Sequence, residues 1–288
     1  MPCRIIGDSM SIFSEANQHP QSLENEAGGT PLPVAEDFDT LYTDWIGKLE
    51  NHLADLGHRS DLNLDDADIR FSSSLPLSRI RSVSVAIVGA GGLGNWQWRI
   101  LLGMGFRNIS IFDDDVVSIE NIGPQAHNLC DIGLPKVEAI RRAGIAARGV
   151  EIAAYNRRVH SLGDIREALG YTPDILITCT DSAEFRNGFI TGLASAFRHD
   201  APQEYATGTS YPDLLLDYRM SLGDWTCYAI PLRIMRRVPR QSMLAQYCSE
   251  AVFPPEEAVQ ESCTERAIVY TGASVASYTG AFLHCLRK

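Results

Sequence analysis

The chain is short of positive charge: 25 Lys and Arg stand against 36 Asp and Glu, for a net charge of -11. Such a field repels polyanions, so neither nucleic acid nor an acidic membrane surface is an expected partner. No apolar run approaches the ~20 residues of a transmembrane helix. Residues 1–20 carry one Arg and no sustained apolar core, which does not read as a signal peptide. The seven cysteines fall at 3, 130, 179, 227, 248, 263 and 285. The count is odd and no pair has CxxC spacing, so neither a disulfide framework nor a structural zinc site is expected. The histidines at 19, 52, 58, 127, 160, 199 and 284 form no HxxxH or Cys/His cluster, and none is assigned to a metal. The expected setting is the reducing cytoplasm, where a cysteine can be chemically active. There is no internal repeat.

What is present suits a folded enzyme-sized chain. Its 288 residues allow an ample core. Residues 1 to about 35 are rich in Ser, Asn, Gln, Gly and Pro and read as a loosely packed arm. From Asp37 to Leu56 the spacing of Phe38, Leu41, Trp45, Leu49, Leu53 and Leu56 predicts an amphipathic helix. Residues 61–68 read as an acidic, solvated linker. The division expected is an N-terminal extension over 1–66 and a main domain over 67–288.

In the main domain, strands are expected at 83–88, 109–112, 152–154 and 175–178. Helices are expected from Gly94 to about 104, and at 136–147, 161–169 and 183–197. Residues 205–209 and 217–222 look extended, and Gly223-Asp224 marks a hairpin turn into a strand over 225–230. A Pro-containing irregular stretch, 231–262, precedes a long helix from about 264 to 286. That helix holds Gly272, Ala273, Ser274, Ala276, Ser277, Gly280 and Ala281, which predicts close packing on another element. Strands alternating with helices predict an α/β fold, and the late hairpin makes its mainly parallel sheet mixed.

The chain is organised around Val83 to Gly94. A β-branched run, Val83-Ser84-Val85-Ala86-Ile87-Val88, stops at Gly89-Ala90-Gly91-Gly92-Leu93-Gly94, and a helical pattern follows. Strand, glycine turn and helix form the phosphate-binding start of a Rossmann-like βαβ unit. Glycines let the backbone approach a phosphate, and the N–H groups at the helix start face the anion. This predicts a nucleotide site. Asp113, at the end of the second strand, is placed to bind ribose hydroxyls or to make a plain turn. Asp181 follows the strand 175–178, where a carboxylate suits Mg²⁺ or caps the next helix. Lys136 opens a helix behind a Gly-Leu-Pro loop and is either a phosphate ligand or a surface charge. Asp115 contacts nucleotide or shapes its loop, and Asn121 binds phosphate or ribose or fixes the loop. Arg186 pairs with Asp181 or Glu184.

The ordered set Gly89-x-Gly91-Gly92-x-Gly94, Asp113-x-Asp115-x-Val117, Asn121-x-x-x-Gln125, Asp131-x-Gly133-x-x-Lys136 and Cys179-Thr180-Asp181 with Arg186 resembles the ubiquitin-activating superfamily, the ThiF/MoeB/HesA group. It also has some likeness to the activating enzyme of the ubiquitin-fold modifier. The resemblance covers about 70–288 and implies a Rossmann-like three-layer fold with a C-terminal helix. It implies a homodimeric, Mg²⁺- and ATP-dependent adenylyltransferase. The substrate implied is the C-terminal carboxylate of a small ubiquitin-like or sulfur-carrier protein, or of a peptide. Gly89, Gly91, Gly92, Gly94, Asp113, Asp115, Asn121 and Lys136 would bind ATP, Asp181 would hold Mg²⁺, and Lys136 and Asp181 would serve catalysis.

The resemblance also makes Cys263 the expected acyl-accepting thiol, at the start of the last helix, where a helix N-terminus favours thiolate. Flanking Glu261 and Glu265 oppose this, and Cys248 is the runner-up. Cys179, Cys227 and Cys285 read as buried and inert.

Two departures stand out. Pro124 occupies a position where the family carries a loop arginine, and Ser73 replaces the second arginine of an Arg-x-x-Arg stretch that keeps Arg70. Arg79, Arg81 or Arg99 is the expected substitute, unless a partner subunit supplies one. A catalytically reduced scaffold subunit of a heterodimer is therefore a second reading, and a NAD-dependent oxidoreductase a third.

Overall fold

The computed structural model describes residues 47, 48, 51, 64–196, 211–221, 224–232, 247 and 269–285. The chain divides into two compact units, Ile6–Arg59 and a larger one of Met1–Ile5 with Ser60–Lys288. In the smaller unit Gly47, Lys48 and Asn51 are helical, within the helix expected over 37–56.

The larger unit begins with a 3-10 helix, Leu64–Phe71, and α1, Leu77–Ser82. Then come β1 (Ser84–Val88), α2 (Gly94–Gly103), β2 (Asn108–Phe112), α3 (Lys136–Arg148), β3 (Ala153–Tyr155) and α4 (Leu162–Leu169). They are followed by β4 (Ile175–Thr178), α5 (Ala183–Ala196), β5 (Leu214–Ser221), β6 (Asp224–Pro231) and α6 (Val269–Cys285). Every expected element with described residues is present, with ends shifted by a few residues. The extended stretch expected over 205–209 lies outside the described residues.

The six strands lie in the order β3-β2-β1-β4-β5-β6. All neighbours are parallel except β5 and β6, which pair antiparallel from Leu214↔Pro231 to Ser221↔Asp224. The strand order reverses between β1 and β4, which makes their carboxyl ends the topological switch point, where open α/β sheets bind ligands.

Strand alternation builds the layers. Val85 and Ile87 of β1 face one side, with Trp98, Leu101 and Leu102 of α2, Val137 and Ile140 of α3, and Val275 of α6. Ala86 and Val88 face the other side, with Ile165 of α4 and Phe189 and Ile190 of α5. Helices thus cover both faces, giving the expected three layers. The small residues of α6 serve close packing on α2. A Cβ on Gly272 would lie 2.2 Å from the Gly92 carbonyl oxygen, and one on Gly280 would lie 2.9 Å from Met104 Sδ.

Of the linker expected over 61–68, the described residues 64–68 are helical and not simply solvated. Asp68 has no exposed surface and accepts from Arg107 at 2.6 Å, Arg148 at 3.0 Å and Arg81 at 3.1 Å. The 3-10 helix turns Asp68 inward while Asp66 stays exposed. Its three arginines come from α1, the turn between α2 and β2, and the end of α3, so no local pattern announces them.

Candidate active site

The glycine turn is shaped by what a side chain would strike. Gly89 has φ +96°, the left-handed region that favours glycine. A Cβ there would lie 2.9 Å from the Cys179 carbonyl oxygen, across the switch point. A Cβ on Gly94 would lie 1.7 Å from the Gly89 carbonyl oxygen, so Gly94 lets the helix start close against the turn. Around Gly91 no atom lies within 4 Å of an added Cβ. The turn therefore has two packing glycines and one facing open space.

Asp113 closes this turn from β2. Its Oδ2 accepts from the Ala90 N–H at 2.6 Å and its Oδ1 from the Asp115 N–H at 2.9 Å. Burial raises the Asp113 carboxyl above the usual carboxylate range, while the Ala90 amide and the Lys136 charge oppose that rise. A carboxylate has about four acceptor directions. Asp113 keeps some for a ribose after holding the turn.

The segment after β2 returns on itself to α3. Lys136 Nζ donates to Asp115 Oδ2 at 2.8 Å, with the lysine side chain only 8% exposed. Lys136 is thus a buried cation, not a solvated surface charge. Asn121 Oδ1 accepts from the Ser118 N–H at 2.9 Å and the Ser118 hydroxyl at 3.0 Å. That geometry displays the loop-fixing role of Asn121.

The stretch carrying Pro124 lies on α2. The Trp96 indole N–H donates to the Pro124 carbonyl at 3.3 Å, and Arg99 Nη2 donates to the Ala126 carbonyl at 2.9 Å. Ala126 has φ +56°. Below it, the Trp98 indole donates to Asn95 Oδ1 at 2.7 Å. That leaves the Asn95 amide to donate to His127 Nε2, 3.0 Å away, so the proton of His127 sits on Nδ1. Burial, with Lys136 and Arg99 nearby, lowers the His127 pKa to about 4. The sequence gives His127 no role, because its partner, Asn95, lies in the first turn of another helix, 32 residues away.

On the β4 side, Asp181 is exposed and follows the strand end as expected. Arg186 of α5 donates to the Thr180 carbonyl and lies 3.8 Å from Asp217. Asp217 of β5 is buried and accepts from Thr178 Oγ1 at 2.6 Å, Tyr247 OH at 2.7 Å and Arg219 Nε at 3.0 Å. This network braces the β4 and β5 ends. The sequence offers Arg186 only the nearby acids Asp181 and Glu184 and misses Asp217, whose contacts depend on β4–β5 pairing.

Among the thiols, burial pushes Cys179 well up, and burial and Asp131 raise the half-buried Cys130. Cys227 is half-buried. Cys285 is exposed, against expectation, because it falls on the outward face of α6 at its last turn. Cys263 and Cys248 lie outside the described residues.

The sequence profile of the ThiF family matches residues 64–197. That segment is a ThiF-family domain. The molybdopterin-synthase adenylyltransferase of Escherichia coli is 34% identical over 120 residues, covering 41% of this chain and 47% of its own. The tRNA threonylcarbamoyladenosine dehydratase 2 of Saccharomyces cerevisiae is 31% identical over 135 residues, covering 46% of this chain and 30% of its own. The NEDD8-activating enzyme E1 catalytic subunit of Arabidopsis thaliana is 33% identical over 118 residues, 40% of this chain and 25% of its own. The chain thus spans less than half the length of these curated relatives. The crystal structure of the E. coli tRNA N6-threonylcarbamoyladenosine dehydratase TcdA, in complex with ATP, superposes with a TM-score of 0.50 at 17% identity. It covers 78% of this chain and 98% of its own, and it shows the same fold.

Within this ThiF-family domain, the first set of expected ligands converges. Gly89 to Gly94, Asp113, Asp115 and Lys136 meet around the end of β1, with open space at Gly91. The donor set also suits Mg²⁺, which takes one or two carboxylates together with phosphate oxygens and water. Asp181 is an exposed carboxylate at the switch point. Separately, the carboxylates of Asp113, Asp114 and Asp115 lie within 4.8 Å of one another. Of the expected substitutes for the absent arginines, Arg81 is spent on Asp68 and Arg79 is exposed.

Proposed function

We propose that the chain is an ATP-dependent adenylyltransferase acting on the C-terminal carboxylate of a small ubiquitin-like or sulfur-carrier protein. The observation that carries the reading is the convergence of the open glycine turn, Asp113 and Lys136 at one sheet edge of a ThiF-family domain. The relatives' names, molybdopterin-synthase adenylyltransferase and NEDD8-activating subunit among them, support a protein carboxylate as the substrate. A peptide carboxylate is the variant of the same chemistry.

The amides of the glycine turn face the phosphates, and Asp113 takes the ribose hydroxyls. The carboxylate attacks the α-phosphorus and pyrophosphate leaves. Lys136, released from Asp115 to the phosphates, offsets the charge that develops there. Mg²⁺, when bound, would be held by Asp181 and would neutralise phosphate charge. In this reading Cys263 then takes the acyl group by attack of its thiolate on the adenylate, with AMP leaving. Residues 67–288 are the adenylation domain and 1–66 an extension. A homodimer in the cytoplasm is the proposed form. No helix among the described residues is long and apolar enough to cross a membrane.

A second reading is a scaffold subunit that supports an active partner. Pro124 and Ser73, in place of two cations, favour it. ATP–pyrophosphate exchange separates these readings, since a scaffold gives none, and calorimetric titration tests the nucleotide itself. ATP should bind to the isolated chain, and Asp113→Ala should weaken it. Binding of NAD⁺ with no binding of ATP would refute a nucleotide-activating role.

A further inference from the structure

A cation held partly out of water favours a counter-charge, and Arg99, half-buried, has no ion-pair partner among the described residues. Its Nε is sealed from water with no hydrogen-bond partner. Among the described residues, every ion pair involves some other cation. Arg81, Arg107 and Arg148 share Asp68, and Arg186 and Arg219 share Asp217. Arg99 has only the Ala126 carbonyl and the face of Trp98, with its guanidinium carbon 4.5 Å from the ring centroid. Burial lowers its pKa, and the charge of Asp131 only partly opposes this. The Asp131 carboxylate is itself occupied by the Asn128 backbone N–H at 2.6 Å and side-chain amide at 3.1 Å. An unneutralised guanidinium held partly out of water is costly, so a site that keeps one is built for an anion.

Its position says which anion. Arg99 lies five residues beyond Gly94 on the helix that starts at the glycine turn, about 7–8 Å along its axis. Its fork reaches the stretch 124–127, where Pro124 stands in the place of a cation. Its charge and that of Lys136 both bear on His127. That loop residue is hydrogen-bonded to Asn95, next to Gly94 at the end of the glycine turn.

We propose that Arg99 is a phosphate-binding residue of the nucleotide site, supplying the cation that Pro124 removes from the loop. This rests on the ATP reading above. The guanidinium keeps one N–H on Ala126 and offers its other Nη N–H donors to the polyphosphate of the bound nucleotide. The Trp98 ring, held through Asn95, fixes the plane of the fork.

The test is calorimetric binding of ATP, adenosine and tripolyphosphate to the full chain and to Arg99→Gln, Arg99→Lys and Arg79→Gln. Gln keeps a donor for Ala126 but no charge. Arg99→Gln should weaken ATP and tripolyphosphate about 10- to 100-fold, the worth of one or two charge-assisted hydrogen bonds. Adenosine should bind as before, Arg99→Lys should recover part of the loss, and Arg79→Gln should match the unaltered chain. Loss of an uncompensated charge should leave the thermal midpoint of the nucleotide-free Arg99→Gln protein unchanged or raised. Equal weakening of ATP and adenosine with a lowered midpoint would assign Arg99 to loop support only and overturn the proposal. So would unchanged ATP affinity in Arg99→Gln. If Arg99→Gln does not fold, Arg99→Lys binding both ATP and tripolyphosphate as tightly as the unaltered chain would overturn it. Failure of the unaltered chain to bind ATP, with tripolyphosphate still bound through Arg99, would instead sink the ATP reading alone.

Discussion

Lys136 Nζ donates to Asp115 Oδ2 at 2.8 Å, and the backbone N–H of Lys136 donates to the Asp115 carbonyl at 2.9 Å. The two residues, joined twice, hold the start of α3 against the start of the loop that leaves β2. The partners are unequal, since the Lys136 side chain is 8% exposed and that of Asp115 60%. Lys136→Met leaves Asp115 in water and should change stability by less than about 1 kcal/mol. It should lower the adenylation rate about 10²- to 10³-fold, the usual worth of one preorganised group facing developing charge. Rate and urea midpoint measured together check this.

Gly91 and Gly94 should separate cradle from fold. Gly94→Ala places a Cβ 1.7 Å from the Gly89 carbonyl oxygen and should prevent folding or lower the thermal midpoint sharply. Gly91→Ala meets nothing within 4 Å, so its circular dichroism and midpoint should match the unaltered protein. Its ATP affinity should fall, because the methyl group enters the space a phosphate would use. Gly272→Ala, aimed at the Gly92 carbonyl at 2.2 Å, should disturb the same turn from α6.

Asp68→Ala should destabilise the larger unit by about 3–5 kcal/mol, because it leaves three arginines without their shared buried carboxylate. Denaturant unfolding gives the number. ATP affinity measured at low temperature on the folded fraction should be unchanged, since none of these residues lies at the switch point.

His127 predicts a pH dependence. Its pKa is lowered from the ordinary 6.5 to about 4. Between those values the unfolded chain binds the proton and the folded chain does not, so protons favour unfolding. The contribution is full above about pH 6.5 and is lost as pH falls towards 4. Lys136 and Arg99, which face His127 from α3 and α2, keep the imidazole neutral alongside burial. His127→Gln should flatten the slope of the urea midpoint between pH 6.5 and 4, and an unchanged slope would move the proton uptake elsewhere.

The sheet and the cradle were legible in the sequence because they are local. A β-branched run such as Val85-Ala86-Ile87-Val88 needs no distant partner to be recognised, and glycine spacing encodes the turn by itself. Asp113 and Lys136 were legible through their places at element ends. What failed to show depends on contacts between elements distant in sequence. Asp68 reads as a solvated acid until two helix ends and the turn before β2 bring it arginines. Asp217 reads as an ordinary strand residue until β4, β5 and Tyr247 close over it. Cys285 was taken as buried because α6 is apolar throughout, and only helix phase at the last turn turns it outward. The loop arginine missing at Pro124 is legible as an absence, and Arg99 as one of three substitutes for it; only the contact of the half-buried Arg99 with the Ala126 carbonyl sets it apart from Arg79 and Arg81.

ATP–pyrophosphate exchange, measured with small proteins ending in Gly-Gly encoded beside its gene, tests the central claim most directly. The account predicts exchange that depends on the carboxylate protein, falls sharply in Lys136→Met and Asp181→Ala, and persists in Cys263→Ser, where any thioester is lost. Absence of exchange with every such protein, or exchange indifferent to Lys136 and Asp181, would contradict it.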